Sequence, residues 1–282
     1  MPELPEVETM RRGILAVEGA TVVRAARMPC AKRPIEIKPR IDHLAKRIVG
    51  TRIDAIERLG KRVVIVFSNQ DRMIIEPRMT GLVLLADAPT KEHLRFVMEL
   101  KKSPVKQVLF WDRRGLGKVS LLKQSEYYAK LNDGTLGPDA LAVDWEQLAE
   151  RFSKTQKAIK VAMLDQSRVL GIGNLYASEI LHLAKVHPET GCHQISKPKW
   201  KKIHQFMIEV FEKAIEYEGS TLSDGTYRNA INGEGSYQNE HRVYDRAGEN
   251  CPTCRRSKIV RIVQAQRSTF FCKRCQKKTT KK

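Results

Sequence analysis

The sequence predicts an α+β multidomain protein: an N-terminal helix plus β-sandwich, then a helical domain, then a C-terminal β-hairpin. Three observations carry this. An apolar stripe at helical spacing is followed by eight short β-branched runs, the second half switches to helical periodicity, and four cysteines in two CxxC pairs close the chain. The 282 residues suffice for two cores, and 41% hydrophobic content supports a folded chain.

The first helix is expected from Pro5 to about Leu15, with Val7, Met10 and Ile14 on one face and a proline near its start. Strands are expected at Thr21–Met28, Ile53–Leu59, Arg62–Ser68, Met73–Ile75, Leu82–Leu85, Leu94–Leu100, Gln107–Trp111 and Lys118–Leu122. Asn132-Asp133-Gly134-Thr135-Leu136-Gly137-Pro138 is rich in turn formers and marks a domain boundary. The expected division is 1–134, 135–245 and 246–282. In the second part Asp144 caps a helix ending near Phe152, another helix covers Ala158–Gln166, and Asn174 caps a third through Ala184. Ser196 caps the longest helix, whose stripe of Trp200, Ile203, Phe206, Met207, Val210 and Ala214 reads as core, and Gly219 ends it. Ser220–Tyr237 reads as a long, functional loop.

Charge narrows the partner. Lys and Arg number 51 against 32 Asp and Glu, a net +19 that points to a polyanion, most simply nucleic acid. The stretch Arg246–Lys282 holds twelve of the basic residues and a single acid, Glu249. The N-terminus is acidic where a signal peptide is basic, and apolar runs such as Val63–Phe67 are strand-sized, so neither export nor a membrane is expected. A reducing cytoplasm is expected from the cysteines, which are spaced for metal rather than disulfides. Cys30 and Cys192 read as small buried hydrophobes.

The spacing Cys251-x2-Cys254-x17-Cys272-x2-Cys275 supplies four thiolates from two tight turns, a closed tetrahedral set for one structural Zn²⁺. Lys258–Gln264 and Arg267–Phe271 alternate as a hairpin between the two knuckles, which places Arg267 at its tip to grip a phosphate. No organic cofactor is expected. Leu170-Gly171-Ile172-Gly173-Asn174 lets backbone approach a phosphate closely ahead of a helix N-terminus, although a plain tight turn has the same signature. Met79 and Leu116 lie on glycine-containing turns, where an apolar side chain wedges into a base stack or simply packs inward.

Pro2 becomes a secondary amine once Met1 is removed. An α-amino group titrates near ~8, so it is partly uncharged at neutral pH and able to attack a sugar C1′. Glu3 is the adjacent acid. The bland alternative is an ordinary helix start.

Together, Met1–Thr9, Gly171–Glu179, the 220–244 segment and the four-cysteine element resemble the formamidopyrimidine-DNA glycosylase family over essentially the whole chain. The opening Pro-Glu-Leu-Pro-Glu-Val-Glu-Thr is specific for it, and Leu4 favours it over the related endonuclease VIII branch. The resemblance implies an N-terminal helix plus β-sandwich, a helix–two-turn–helix domain carrying a lesion loop at about 220–237, and a four-cysteine zinc-finger hairpin. It implies a bifunctional glycosylase and AP lyase acting, as a monomer, on double-stranded DNA with oxidised purines or abasic sites. By position, Pro2 is then the nucleophile, Glu3 the proton donor and Lys61 the lysine near the lesion. Lys160, Asn174 and Arg267 are phosphate clamps, and Met79, Arg114 and Leu116 fill the void left by an extruded base. The family usually reads Arg-Arg-Phe-Gly where this chain has Arg114-Gly115-Leu116-Gly117, and His-Leu before the Met turn where it has Glu76-Pro77-Arg78. An aliphatic Leu116 offers no π face, so weaker stacking on the opposite strand is expected. The rival readings are a glycosylase for oxidised pyrimidines and a non-enzymatic damaged-DNA binder.

Overall fold

The computed structural model describes residues 2–278; Met1, whose removal the sequence reading requires, and the last four residues lie outside them. The chain forms two compact units. One runs to Asp133 and takes back Ile215–Gln238, and the other comprises Gly134–Ala214 and the chain from Asn239 onward.

In the first unit, helix α1 (Leu4–Gly13) starts at Glu3, whose extended backbone and capping box with Glu6 satisfy the first free N–H groups. Val7 and Met10 on α1, and Ile14 just after it, are fully buried as the spacing requires. Then follow β1 (Thr21–Arg27), β2 (Glu36–Lys38), α2 (Ile41–Ile48), β3 (Ile53–Leu59), β4 (Arg62–Phe67), β5 (Arg72–Glu76), β6 (Gly81–Leu84), β7 (Leu94–Lys101), β8 (Gln107–Asp112), β9 (Lys118–Leu122) and α3 (Gln124–Asn132). The strands form a four-stranded sheet, β1-β7-β8-β6, and a five-stranded sheet, β2-β9-β5-β4-β3. Inward residues of both sheets, such as Ile65 and Met73 of one and Phe96 and Phe110 of the other, join α1 in a single core. β2, α2 and α3 are additions to the sequence reading; each is short, and α2 shows only Leu44 and Ile48 buried.

The second unit contains α4 (Trp145–Ser153), α5 (Ile159–Met163), α6 (Asn174–Leu183), α7 (Lys197–Glu216) and the hairpin β10 (Ile259–Gln264) and β11 (Arg267–Cys272). The division falls in the last turn of α7. Asp144 caps α4 by accepting the Gln147 N–H at 2.7 Å. The expected helix through Gln166 stops at Met163, because the Gln166 amide turns back to bond the Leu164 and Ile172 carbonyls at 3.0 Å each. Asn174 is not a cap. Gly173 takes that position with extended backbone, and Asn174 is the first helical residue.

The segment 220–237, attached above to the helical domain, packs instead with the first unit. Its base is fastened there by Tyr227, which is 4% exposed and donates its hydroxyl to the Glu218 carbonyl at 3.0 Å. Ala230 accepts the Leu85 N–H at 2.8 Å. Cys192 is wholly buried, as expected, but Cys30 is only half-buried and donates to the Glu92 carbonyl. It lies outside regular structure, beyond the end of β1.

Candidate active site and nucleic-acid interface

In the first unit Pro2 and Glu3 lie at the buried start of α1, and Glu3 is 3% exposed. What fixes them is Glu6. Its carboxylate accepts the Glu3 N–H at 2.8 Å through one oxygen and the Ser220 N–H at 2.9 Å through the other. One buried side chain thus joins the start of the helix to the start of the 220–237 loop. Gly219 permits this approach: it has φ +79°, and a Cβ there would lie 2.9 Å from the Glu6 side chain.

Glu8, two residues on, braces the turn that carries Lys61 through Arg58. It takes Arg11 at 2.8 Å, Arg12 at 2.8 Å and Arg58 at 3.0 Å. Burial pushes the Glu8 carboxyl up, but the arginines outweigh it and hold the group below its ordinary value. Arg58 also donates to the Gly60 carbonyl at 3.1 Å. Lys61 follows Gly60 in the two-residue turn between β3 and β4, where Gly60 has φ +57°.

Met79 is 38% exposed on the turn before β6, and Arg114 is exposed and Leu116 half-buried on the turn after β8. Two buried polar residues lock these turns together. The Thr80 hydroxyl donates to Asp112 Oδ1 at 2.5 Å, and the two Asp112 oxygens take the N–H groups of Arg114 at 3.2 Å and Gly117 at 2.7 Å. Gly115 has φ +63° and lies so close to the Arg33 carbonyl that a Cβ would stand 2.1 Å from it. Arg113 reaches Asp224, on the tip of the 220–237 loop, at 3.8 Å.

In the second unit, Lys160, Asn174 and the residue after Arg267 converge. The Asn174 amide donates to the Ser268 carbonyl at 3.0 Å, and Lys160 Nζ bonds the same carbonyl at 3.3 Å and also Asn174 Oδ1. Lys160 is fully buried. Arg267 stands exposed directly after the Ala265-Gln266 turn, whose residues both have positive φ.

The sulfurs of Cys251, Cys254, Cys272 and Cys275 all lie within 4.8 Å of one another. The Cys251–Cys275 and Cys254–Cys272 distances are 3.8 and 3.7 Å. A tetrahedron with Zn–S bonds of ~2.3 Å has edges of about 3.8 Å, so the set fits one structural zinc. The backbone N–H of Arg256 does most to pull the Cys254 thiol down to about 7, which favours the ligating thiolate. Gln276 braces the second knuckle: Oε1 accepts the Cys272 N–H at 3.1 Å, and Nε2 donates to the Val186 carbonyl at 2.9 Å. His182 on α6 bonds Gln276 at 3.1 Å and Thr253 at 2.8 Å. Glu179, 1% exposed, receives the N–H groups of Arg242, Val243 and Tyr244 at 2.8 to 2.9 Å.

Glu6, Glu8, Thr80, Asp112, Glu179, His182 and Gln276 were not singled out in the sequence. The available signal was a polar residue on an otherwise apolar helical face, as with Glu179 and His182 within α6, where both are buried.

Residues 1–119 match the profile of the formamidopyrimidine-DNA glycosylase N-terminal domain. Residues 136–226 match that family's H2TH domain, and residues 248–278 match the zinc finger found in FPG and IleRS. The formamidopyrimidine-DNA glycosylase of Chloroflexus aurantiacus is 38% identical over 281 residues, 98% of each chain. Among solved structures, a mutant of Lactococcus lactis FPG with Fapy-dG DNA superposes with a TM-score of 0.88 at 32% identity, over 98% of this chain and 100% of that one. The wild-type Lactococcus lactis protein with DNA containing an oxidised pyrimidine gives 0.86 at the same identity and coverage. Sequence motifs, domain order and fold agree, and the chain belongs to the formamidopyrimidine-DNA glycosylase family.

Proposed function

We propose that this protein is a base-excision repair glycosylase that removes oxidised purines, 8-oxoguanine and formamidopyrimidines, from double-stranded DNA and then cuts the strand as an AP lyase. The observation that carries the reading is the Glu6 bridge, which fixes Pro2-Glu3 beside the first residue of the 220–237 loop. After Met1 removal the Pro2 nitrogen attacks C1′ and the base leaves. Glu3 delivers a proton to the sugar ring oxygen, and the ring opens to an iminium ion. Loss of a C2′ proton expels the 3′ phosphate, and a second elimination expels the 5′ phosphate. Lys61, on its tied-down turn, is assigned to the lesion side. The target nucleotide must leave the stack, because a paired sugar gives an attacking amine no approach.

Met79, Arg114 and Leu116 occupy the vacated space, and the 220–237 loop reads the extruded base. Asn174 and Arg267 grip flanking phosphates. Lys160, being fully buried, serves that clamp by holding Asn174 in place. The functional division at 134 and 245 is retained, with the loop belonging to the helical domain in chain order and to the first unit in packing. The enzyme acts as a monomer in the bacterial cytoplasm, bound to the nucleoid. No described helix is long and apolar enough to cross a membrane.

A preference for oxidised pyrimidines is the second reading, motivated by the Lactococcus lactis complex with such a lesion. Borohydride trapping on a duplex with one 8-oxoguanine opposite cytosine, followed by mass mapping, tests the first. A covalent adduct on Pro2 is expected. An adduct on any lysine instead, or trapping only with an oxidised pyrimidine, overturns the nucleophile or the substrate respectively.

A further inference from the structure

Cys30 stands apart from the zinc ligands and from every residue assigned above. Its thiol donates to the Glu92 carbonyl at 3.1 Å and accepts the Lys32 N–H at 3.4 Å. The guanidinium of Arg95 reaches the same sulfur through Nη1. Arg95 is 1% exposed, and its Nε donates to the Asp112 carbonyl at 2.8 Å. Its Nη2 is buried without an acceptor among the described residues. The β7–β8 register skips a residue between Leu94 and Phe96, so Arg95 is the bulged position, and bulges re-aim side chains. A buried N–H left without an acceptor is costly, and more so when it is charged. An oxygen atom on the sulfur that Nη1 reaches would bring an acceptor to this guanidinium.

We propose that Cys30 is a modification site at which hydrogen peroxide converts the thiol to a sulfenic acid, whose oxygen accepts a hydrogen bond from Arg95 Nη2. The step balances as R–SH + H2O2 → R–SOH + H2O. The sulfur forms a bond to one peroxide oxygen as the O–O bond breaks, losing two electrons. The expelled hydroxide takes the thiol proton and leaves as water. The change is felt at the turn after β8, which rests on both neighbours of the site: Arg95 holds the Asp112 carbonyl, and Gly115 lies against the Arg33 carbonyl. Cys192 is the internal reference. It is fully buried, and burial pushes its thiol up to about 11.

The zinc-loaded full-length protein is treated with limiting hydrogen peroxide, labelled with dimedone, digested and quantified by mass spectrometry, while a chromogenic chelator follows zinc release. Cys30 is expected to be labelled at least about tenfold faster than Cys192, and before zinc is lost. Equal rates, no adduct on Cys30, or labelling only after zinc release overturns the proposal in the wild type alone. Arg95→Lys, checked for folding by circular dichroism, is expected to shorten the lifetime of the adduct-forming species. An unchanged lifetime in a folded variant removes Arg95 from it. Amide exchange at Arg114 and Gly117 should rise on oxidation of the wild type but not of Cys30→Ser, and no rise refutes the coupling to the turn.

Discussion

The 220–237 loop and the zinc hairpin, both assigned to DNA in the proposed function, are held in opposite ways. The hairpin has a continuous ladder from Ile259↔Cys272 to Gln264↔Arg267 and a four-sulfur cluster at its base. The loop has neither. It is pinned by scattered bonds: from side chains, Glu6 to Ser220, Thr221 to the Tyr227 carbonyl at 2.9 Å, Asn229 to Glu218 at 2.8 Å, and Asn229 Oδ1 from the Gly233 N–H at 2.7 Å; from backbone, Leu85 to Ala230 at 2.8 Å and Tyr237 to Gly219 at 3.0 Å. Its tip, residues 223–225, is exposed. A region that must only present a charge tolerates one rigid clamp. On the proposed function the loop closes on a base, which calls for a fixed root and a looser end.

The largest break in this comparison is metal removal. Zinc contributes on the order of 10 kcal/mol to the folding of zinc-finger peptides. A chelator, or Cys254→Ser, should therefore unfold the hairpin while leaving the loop bonded to Glu6, and DNA affinity should fall by more than about a hundredfold. Fluorescence anisotropy on an undamaged duplex measures this, and unchanged affinity in zinc-free protein contradicts it.

Acid should act next, and on the hairpin's unit. Burial, with help from Arg246, holds the His241 imidazole down at about 4, and burial also lowers His182. A histidine kept neutral in the folded state is protonated first in the unfolded chain. Stability is thus complete above the ordinary histidine range and is lost as pH falls from about 6.5 through about 4, by up to about 3 kcal/mol for His241. Chemical denaturation across that window should show the slope, and His241→Gln should flatten it.

Glu6→Ala tests the loop's root. Two buried N–H groups lose their acceptor, at about 1–3 kcal/mol each before relaxation. Thermal unfolding should drop by several degrees, with amide exchange at Ser220 accelerated and the hairpin unaffected. Equal protection of Ser220 in the variant would refute the bridge.

The smallest effect sharpens the picture of the tip. Arg113 and Asp224 are about half-exposed and 3.8 Å apart, so a double-mutant cycle should give under about 1 kcal/mol, vanishing in high salt. A larger coupling would mean that the tip is not free.

The same contrast explains what was legible beforehand. The cysteine spacing is local, and so is the alternation of the hairpin; both were read from a few residues. The bounds of β3 and β9 were likewise set by local β-branched runs. Glu6 and Ser220 lie 214 residues apart, and no periodicity encodes such a bond. Asn174 sat one position from its expected role because Gly173, with extended backbone, takes the cap position at a small cost, and the Asn174 amide bonds Ser268 instead. α2 was missed because a two-turn helix with two buried residues barely differs from a polar loop.

Arg33 also decides in what order the turn after β8 is able to change. Position 115 accepts no side chain while the Arg33 carbonyl lies 2.1 Å from where a Cβ would stand. An Arg-Phe pair grafted as a block into 115–116 fails at its first residue, whatever its second would gain. An aromatic enters this protein alone, as Leu116→Phe, or after residues 29–34 have been rebuilt. Descent toward the family's usual turn therefore begins some eighty residues upstream of it, a constraint for directed evolution as much as for natural drift.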